Sequence, residues 1–186
     1  VVQGGMFPEL RLQSAAMLAS MDFDGYAVGG LSVGEPKVSM YEITSLMGSV
    51  LPSDKPRYLM GVGSPEDLVN CVSLGMDLFD CSLPTRVARN GSLFTQQGRV
   101  NIANSKFREV QVSFDETCDC YCCENFSAAY VHHLFKAREI LAYRLASIHN
   151  LRFIMRLMED MRQAIDGGYF GEFSGNFLRK YSPADE

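Results

Sequence analysis

The chain has 186 residues, 47% of them hydrophobic and 21% charged, the mix of a soluble globular protein of one ordinary domain. No apolar run approaches the ~20 residues of a membrane-spanning helix, and no basic-then-apolar opening marks a secretory signal. A net charge of −5 argues against a polyanion binder as a whole, yet Arg86, Arg89, Arg99, Lys106 and Arg108 fall between Cys81 and Arg108 with no acidic residue among them. Alone, such a stretch is more often a solvated face than a phosphate-contacting patch.

In chain order, Val1-Val2 reads as the tail of a strand leading into Gly4-Gly5, and the start at Val1 points to a piece of a longer protein. A helix is predicted from Pro8, with Leu10, Met17, Leu18 and Met21 on one side. Gly25 to Val28 is a short strand ended by Gly29-Gly30. Pro36 opens a helix carrying Met40, Ile43, Met47 and Val50, and Arg57 to Met60 is the next strand, ended by Gly61. Ser64-Pro65-Glu66-Asp67 carries an N-cap, a proline at the first helical position and acids in the first turn, so a helix with Leu68, Val69, Val72 and Leu74 should follow, stopping at Gly75. Met76 to Phe79 is a last buried strand with Asp80 at its end.

This unit recurs roughly every 20 to 30 residues, as βαβ units do. The class is therefore α/β, either an open parallel sheet or about half of a (β/α)8 barrel, since a whole barrel needs ~250 residues. Polar and glycine signals follow the strands, at Gln3-Gly4-Gly5, Gly29-Gly30-Leu31, Gly61-Val62-Gly63 and Asp80, the end at which barrels build active sites.

The pattern changes after Pro84. Leu93 to Thr95 and Arg99 to Ile102 read as a hairpin around Gln96-Gln97-Gly98. A long helix is predicted from Ser127 to His149, with Asn150 breaking it. A second follows from Leu151 to Ile165, stopped by Gly167-Gly168. The polar tail Ser182 to Glu186 reads as a natural end.

Six Cys stand at 71, 81, 118, 120, 122 and 123. Near-adjacent cysteines are poorly placed to pair with each other, so a reducing cytosol and a metal site fit better than a disulfide framework. Cys118-x-Cys120-x-x-Cys123 is the strongest local signal, with a tetrahedral Zn2+ as the expected ion. The fourth ligand comes from His132, His133 or His149, and Cys122 competes for a place. A site closed by Cys and His has a structural role and not a catalytic one. Asp80 could be a nucleophile, a general base or a stabiliser, and a satisfied structural carboxylate explains it equally well. The glycine pairs allow close approach to a flat ligand, as any tight turn does. The ten Met sit at helical spacing and are core filler.

The strings VVQGG, DGYAVGGLSVGE, KPRYLMGVGSPEDL, FDCSLPTRVARNG, CDCYCCENFS, YVHHL and HN, in this order, resemble tRNA-guanine transglycosylase over essentially the whole chain. The resemblance implies a (β/α)8 barrel with an inserted zinc-binding subdomain, of which this is the C-terminal half. Residues 1–90 would be barrel, 91–150 the zinc subdomain and 151–186 the helices closing the barrel. It further implies that Asp80 is the nucleophile and that Gln3 and Gly30 contact the exchanged base. Cys118, Cys120, Cys123 and His149 would bind zinc. Gly61, Val62, Gly63, Ser64, Pro65, Glu66 and Asp67 would form a tRNA-contacting loop, and Thr85, Arg86, Val87, Ala88 and Arg89 the segment that recognises the wobble position.

The implied partners are tRNA, guanine and a 7-deazaguanine base, in a cytoplasmic homodimer. Val33 stands where queuine-using members carry a smaller residue, which favours the bacterial type and preQ1 (7-aminomethyl-7-deazaguanine). A second Asp, the proton acceptor, belongs to the other half, so this piece alone is expected to be inactive. Rival readings are a non-catalytic partner subunit of the same family, an unrelated zinc-stabilised RNA-binding module and a barrel hydrolase. The retained Asp80 argues against the first, and the strand–helix repeat is superfluous for the second.

Overall fold

The computed structural model describes residues 1–181, in two compact units that divide between Ser82 and Leu83. The tail from Ser182 lies outside the described residues.

The first unit alternates helix and strand: α1 (Pro8–Ala19), β1 (Tyr26–Val28), α2 (Lys37–Val50), β2 (Arg57–Met60), α3 (Pro65–Ser73) and β3 (Leu78–Asp80). The strands form a parallel sheet in the order β1-β2-β3, and Val2 adds a parallel bridge to Val28. The register aligns Val2, Val28, Leu59 and Phe79 in one row across the sheet. The residues just beyond that row, Gln3, Gly29, Met60 and Asp80, therefore share its C-terminal edge. Val2, Val28, Leu59, Met40, Ile43 and Met47 are at the centre of the core. As expected, the Ser64 hydroxyl accepts from Asp67 N at 3.3 Å and Pro65 follows as the first helical residue.

Three readings of this unit are corrected. In α1 the inward residues are Arg11 and Ala15, while Leu10, Met17 and Met21 are exposed. The guanidinium finds backbone carbonyls beneath the helix, and that outweighs apolar patterning. Val50, expected on the inner face of α2, is exposed as well. In β3, Leu78 and Asp80 are exposed and only Phe79 packs against the core. β3 is an edge strand of this sheet, and alternation puts Leu78 and Asp80 on the same open face.

The second unit opens with α4 (Leu83–Arg89) and the antiparallel pair β4 (Ser92–Thr95) and β5 (Gly98–Asn101), the expected hairpin. A single 3-10 turn at Ser105–Phe107 leads to α5 (Tyr121–Asn125), α6 (Ala128–Lys136), α7 (Ile140–Asp166) and α8 (Phe170–Lys180). The predicted break at Asn150 is not there. The chain turns instead at Arg138, whose φ of 58° lies in the left-handed region. Glu139 N and Arg138 N close the end of α6 on Leu134 O and Phe135 O.

Asn150 sits inside α7, fully buried. Its carboxamide accepts from Phe94 N at 3.0 Å and donates to Pro84 O at 2.9 Å and Ser92 O at 3.0 Å. With its polar atoms used on the hairpin and α4, it has nothing left with which to compete for the helix backbone. α7 ends at Asp166 before Gly167, as expected. α8 had no sequence signal of its own, because Gly171 and Gly175 weaken helical propensity. The rings of Phe173, Phe177 and Tyr181 stack along it.

Candidate functional site

At the sheet's C-terminal edge in the first unit, Asp80 is held by one oxygen. Its Oδ1 accepts from the Tyr58 hydroxyl at 2.7 Å and from Gly61 N at 3.1 Å. Tyr58 is on the neighbouring strand, paired with Leu78, and Gly61 turns at φ 81° directly after it. Both bonds land on Oδ1, so Oδ2 stays available on an exposed carboxylate. The Tyr58 hydroxyl first, and then the Gly61 amide, hold the Asp80 carboxyl below the usual carboxylate range. The same pairing raises the Tyr58 phenol and keeps it a donor.

Further along that edge, Gln3 lies against Gly29-Gly30. A Cβ on Gly30, whose φ is 67°, would stand 2.5 Å from Gln3 Oε1, and one on Gly29 would stand 2.9 Å from Gln3 Nε2. The positive φ favours glycine at 30, and the Gln3 carboxamide lies close against both glycines, so Gln3 and Gly30 are brought together. Behind them Arg11 is fully buried. It donates to Gly5 O at 2.9 Å, Val2 O at 3.1 Å, Gly29 O at 2.8 Å and Gly30 O at 3.4 Å. The loop beyond is capped by Glu35, which accepts from Ser32 N and, at 2.9 Å, from Val33 N. The Val33 side chain is exposed.

The stretch 61–67 is less open than its expected role suggests. Gly61 is exposed, whereas Val62, Gly63, Ser64, Pro65, Glu66 and Asp67 are buried. Glu66 and Asp67 pair with Lys37 at 3.2 and 3.0 Å, and Asp67 also accepts from the Tyr41 hydroxyl.

In the second unit, Arg86 and Arg89 lie on the outer side of α4, both exposed, while Ala88 faces the core and Thr85 and Val87 are half-buried. Cys118, Cys120, Cys123 and His149 converge, with one donor atom from each lying within 4.8 Å of all the others. His149 Nδ1 is 3.6 Å from Cys120 Sγ and 3.4 Å from Cys123 Sγ. Its Nε2 is 2.6 Å from Phe94 O. A carbonyl only accepts, so Nε2 carries the proton and the Nδ1 lone pair faces the sulfurs. A tetrahedron with ~2.3 Å metal–sulfur bonds has edges of about 3.8 Å, so these donors already stand near ligand spacing.

The loop carrying Cys118 and Cys120 is fixed to α7. Arg152 makes a two-point bond to Asp119 at 2.8 and 2.7 Å, and Arg156 donates to Thr117 O at 2.7 Å. Cys122 stands outside the cluster, fully buried in the hydrophobic core, where burial first pushes its thiol up to about 12. His132 is outside as well, buried with its Nδ1 2.8 Å from Ile102 O, and His133 is exposed.

No sequence pattern marks the contacts that Tyr58, Arg11, Asn150, Arg152 and Arg156 make. Their partners are mostly backbone carbonyls or residues distant in the chain, and no local spacing marks such contacts.

An α/β unit with a carboxylate at its strand ends, followed by a unit built around three cysteines and a histidine, defines the class. The model of the queuine tRNA-ribosyltransferase family matches residues 1–183, and the chain belongs to that family. It is 56% identical over its whole length to a queuine tRNA-ribosyltransferase of Dehalococcoides mccartyi, of which it covers 47%. It is 54% identical to that of Thermoanaerobacter pseudethanolicus, covering 50% of it. Against that of Staphylococcus aureus it is 53% identical over 97% of its residues, covering 48% of the relative. The chain thus spans about half the length of the curated relatives it matches.

Proposed function

We propose that this chain is the C-terminal half of a tRNA-guanine transglycosylase that exchanges guanine at the anticodon wobble position for preQ1, in queuosine biosynthesis. The observation that carries the reading is the state of Asp80, with one carboxylate oxygen fixed by Tyr58 and Gly61 and the other open at the strand-end edge that also bears Gln3 and Gly30. In the proposed reaction Asp80 Oδ2 bonds to ribose C1′. The C1′–N9 bond breaks, and guanine leaves with that electron pair and takes up a proton. The incoming base, having given up its N9 proton, attacks C1′ from the vacated side and releases Asp80. This is the double displacement of a retaining glycosidase, with a base in place of water. The target base must be unstacked to reach the carboxylate. Gln3 and Gly30 hold the base, and Val33 crowds a substituent bulkier than an aminomethyl group.

The barrel, with residues 1–90 as its last strands, 91–150 as the zinc subdomain and 151–186 as the closing helices, belongs to this reading. Cys118, Cys120, Cys123 and His149 hold one structural Zn2+, which ties the hairpin, the cysteine loop and α7 together. Arg86 and Arg89 meet tRNA phosphates, flanked by Thr85, Val87 and Ala88. From the 61–67 segment, only Gly61 is open to meet RNA. The enzyme works as a cytoplasmic homodimer, and the proton acceptor is contributed by the other half of the protein.

The test is a denaturing gel of the full-length protein with tRNA. A shifted band that survives denaturation is expected for the native protein. It should be absent in Asp80→Ala and Asp80→Asn, with tRNA binding retained. A persisting band in Asp80→Ala would place the nucleophile elsewhere. A native protein that binds tRNA but forms no band and exchanges no base would instead be a non-catalytic partner subunit.

A further inference from the structure

Arg11 is fully buried, and its four hydrogen bonds go to backbone carbonyls of two separate turns: Val2 and Gly5 on one side, Gly29 and Gly30 on the other. These turns carry Gln3 and Gly30. A guanidinium presents its donors in a rigid planar fork, so it fixes the spacing and tilt of whatever it bridges. No peptide bond is cis among the described residues. In a trans peptide C=O and N–H point oppositely, so binding Gly29 O turns the Gly30 N–H away from the guanidinium, and binding Gly30 O does the same for the Leu31 N–H. Without a side chain, Gly30 has other backbone conformations open to it besides the observed φ of 67°, and these bonds select one. Glu35, which caps the 32–35 loop, offsets part of the charge that burial disfavours.

We infer that Arg11 is the positioning residue of the base pocket: by clasping the Gln3 and Gly30 turns to each other it sets the pocket's affinity for the exchanged base without touching the base. The inference rests on the proposed exchange reaction. Its arginine is the polar residue on the inner face of α1, which explains why that helix buries charge and exposes apolar side chains.

The experiment measures KM for guanine and for tRNA separately in the full-length protein and in Arg11→Lys. Lysine keeps the charge but reaches fewer carbonyls, and losing two charge-assisted bonds should raise KM for guanine roughly tenfold or more, with KM for tRNA within about twofold. The covalent tRNA band should still form. An unchanged KM for guanine, or an equal rise in both constants, overturns the inference. A native protein without exchange activity would sink the underlying reaction instead. Should Arg11→Lys not fold, the native protein decides by hydrogen exchange. Saturating guanine should slow exchange of the amides in 2–5 and 29–31 together, whereas protection of one turn alone overturns the clasp.

Discussion

At the residue scale, the chemistry proposed for Asp80 depends on its two donors. The Tyr58 hydroxyl is the larger cause of its lowered pKa, and the reaction needs the carboxylate. The rate of adduct formation should therefore hold as pH falls until it passes Asp80's depressed pKa. Tyr58→Phe removes the donor, lets that pKa climb toward the ordinary ~3.9 and moves the acid limb to higher pH. The carboxylate would also swing more freely, so the neutral-pH rate should drop several-fold with tRNA affinity unchanged. A pH–rate profile of adduct formation in the full-length variant checks both effects, and a profile superimposable on the native one would refute the assignment. A carboxyl held low in the folded state contributes stability above its ordinary pKa that is lost as pH falls through the depressed one, and because Asp80 is exposed that contribution should be small.

At the scale of elements, the second unit is joined by two adjacent residues of α7 that serve different purposes. His149 turns Nδ1 to the cysteines and Nε2 to Phe94 O, while Asn150 bonds Phe94 N, Ser92 O and Pro84 O. Asn150→Ala leaves three backbone groups without these partners in a buried setting, so thermal or urea unfolding should show a loss of about 3 kcal/mol or more. Asn150→Asp keeps the acceptor but faces two carbonyls with no donor, and should be no better. Freshly purified protein should contain one zinc per chain. Chelation, or His149→Ala, should lower the unfolding temperature, because buried thiols and imidazole assembled around an ion lose their reason to converge. Elemental analysis finding no stoichiometric zinc would remove the metal from the proposal.

At the scale of the whole molecule, an acidic chain is proposed to bind a polyanion, and the resolution lies in where the cations stand. Arg86 and Arg89 are exposed on one side of α4, and neither makes an ion pair among those of the described residues. Replacing both with Ala in the full-length protein should weaken tRNA binding and reduce its log–log salt slope by about one unit for each phosphate that is no longer neutralised. An unchanged slope would make this face merely solvated. This half of the protein, assayed alone, should exchange no base, because the proposed proton acceptor belongs to the remaining half.

The local grammar of this protein was legible in the sequence. The β2 boundaries, the Ser64-Pro65 start of α3, the β4–β5 hairpin and the metal-type spacing of the cysteines each rest on neighbouring residues, and neighbours are what a sequence displays. Motif resemblance supplied His149 as the fourth donor, where spacing alone left three histidines open. Only the tertiary structure decided the inward turn of Arg11, the exposure of Leu78, the continuity of α7 through Asn150 and the burial of Glu66 and Asp67. In each case but Leu78, which follows from its place on an edge strand, a polar or charged group was matched to a partner far away in the chain. The energy of satisfying a buried donor or acceptor exceeds the local preference that sequence patterns record.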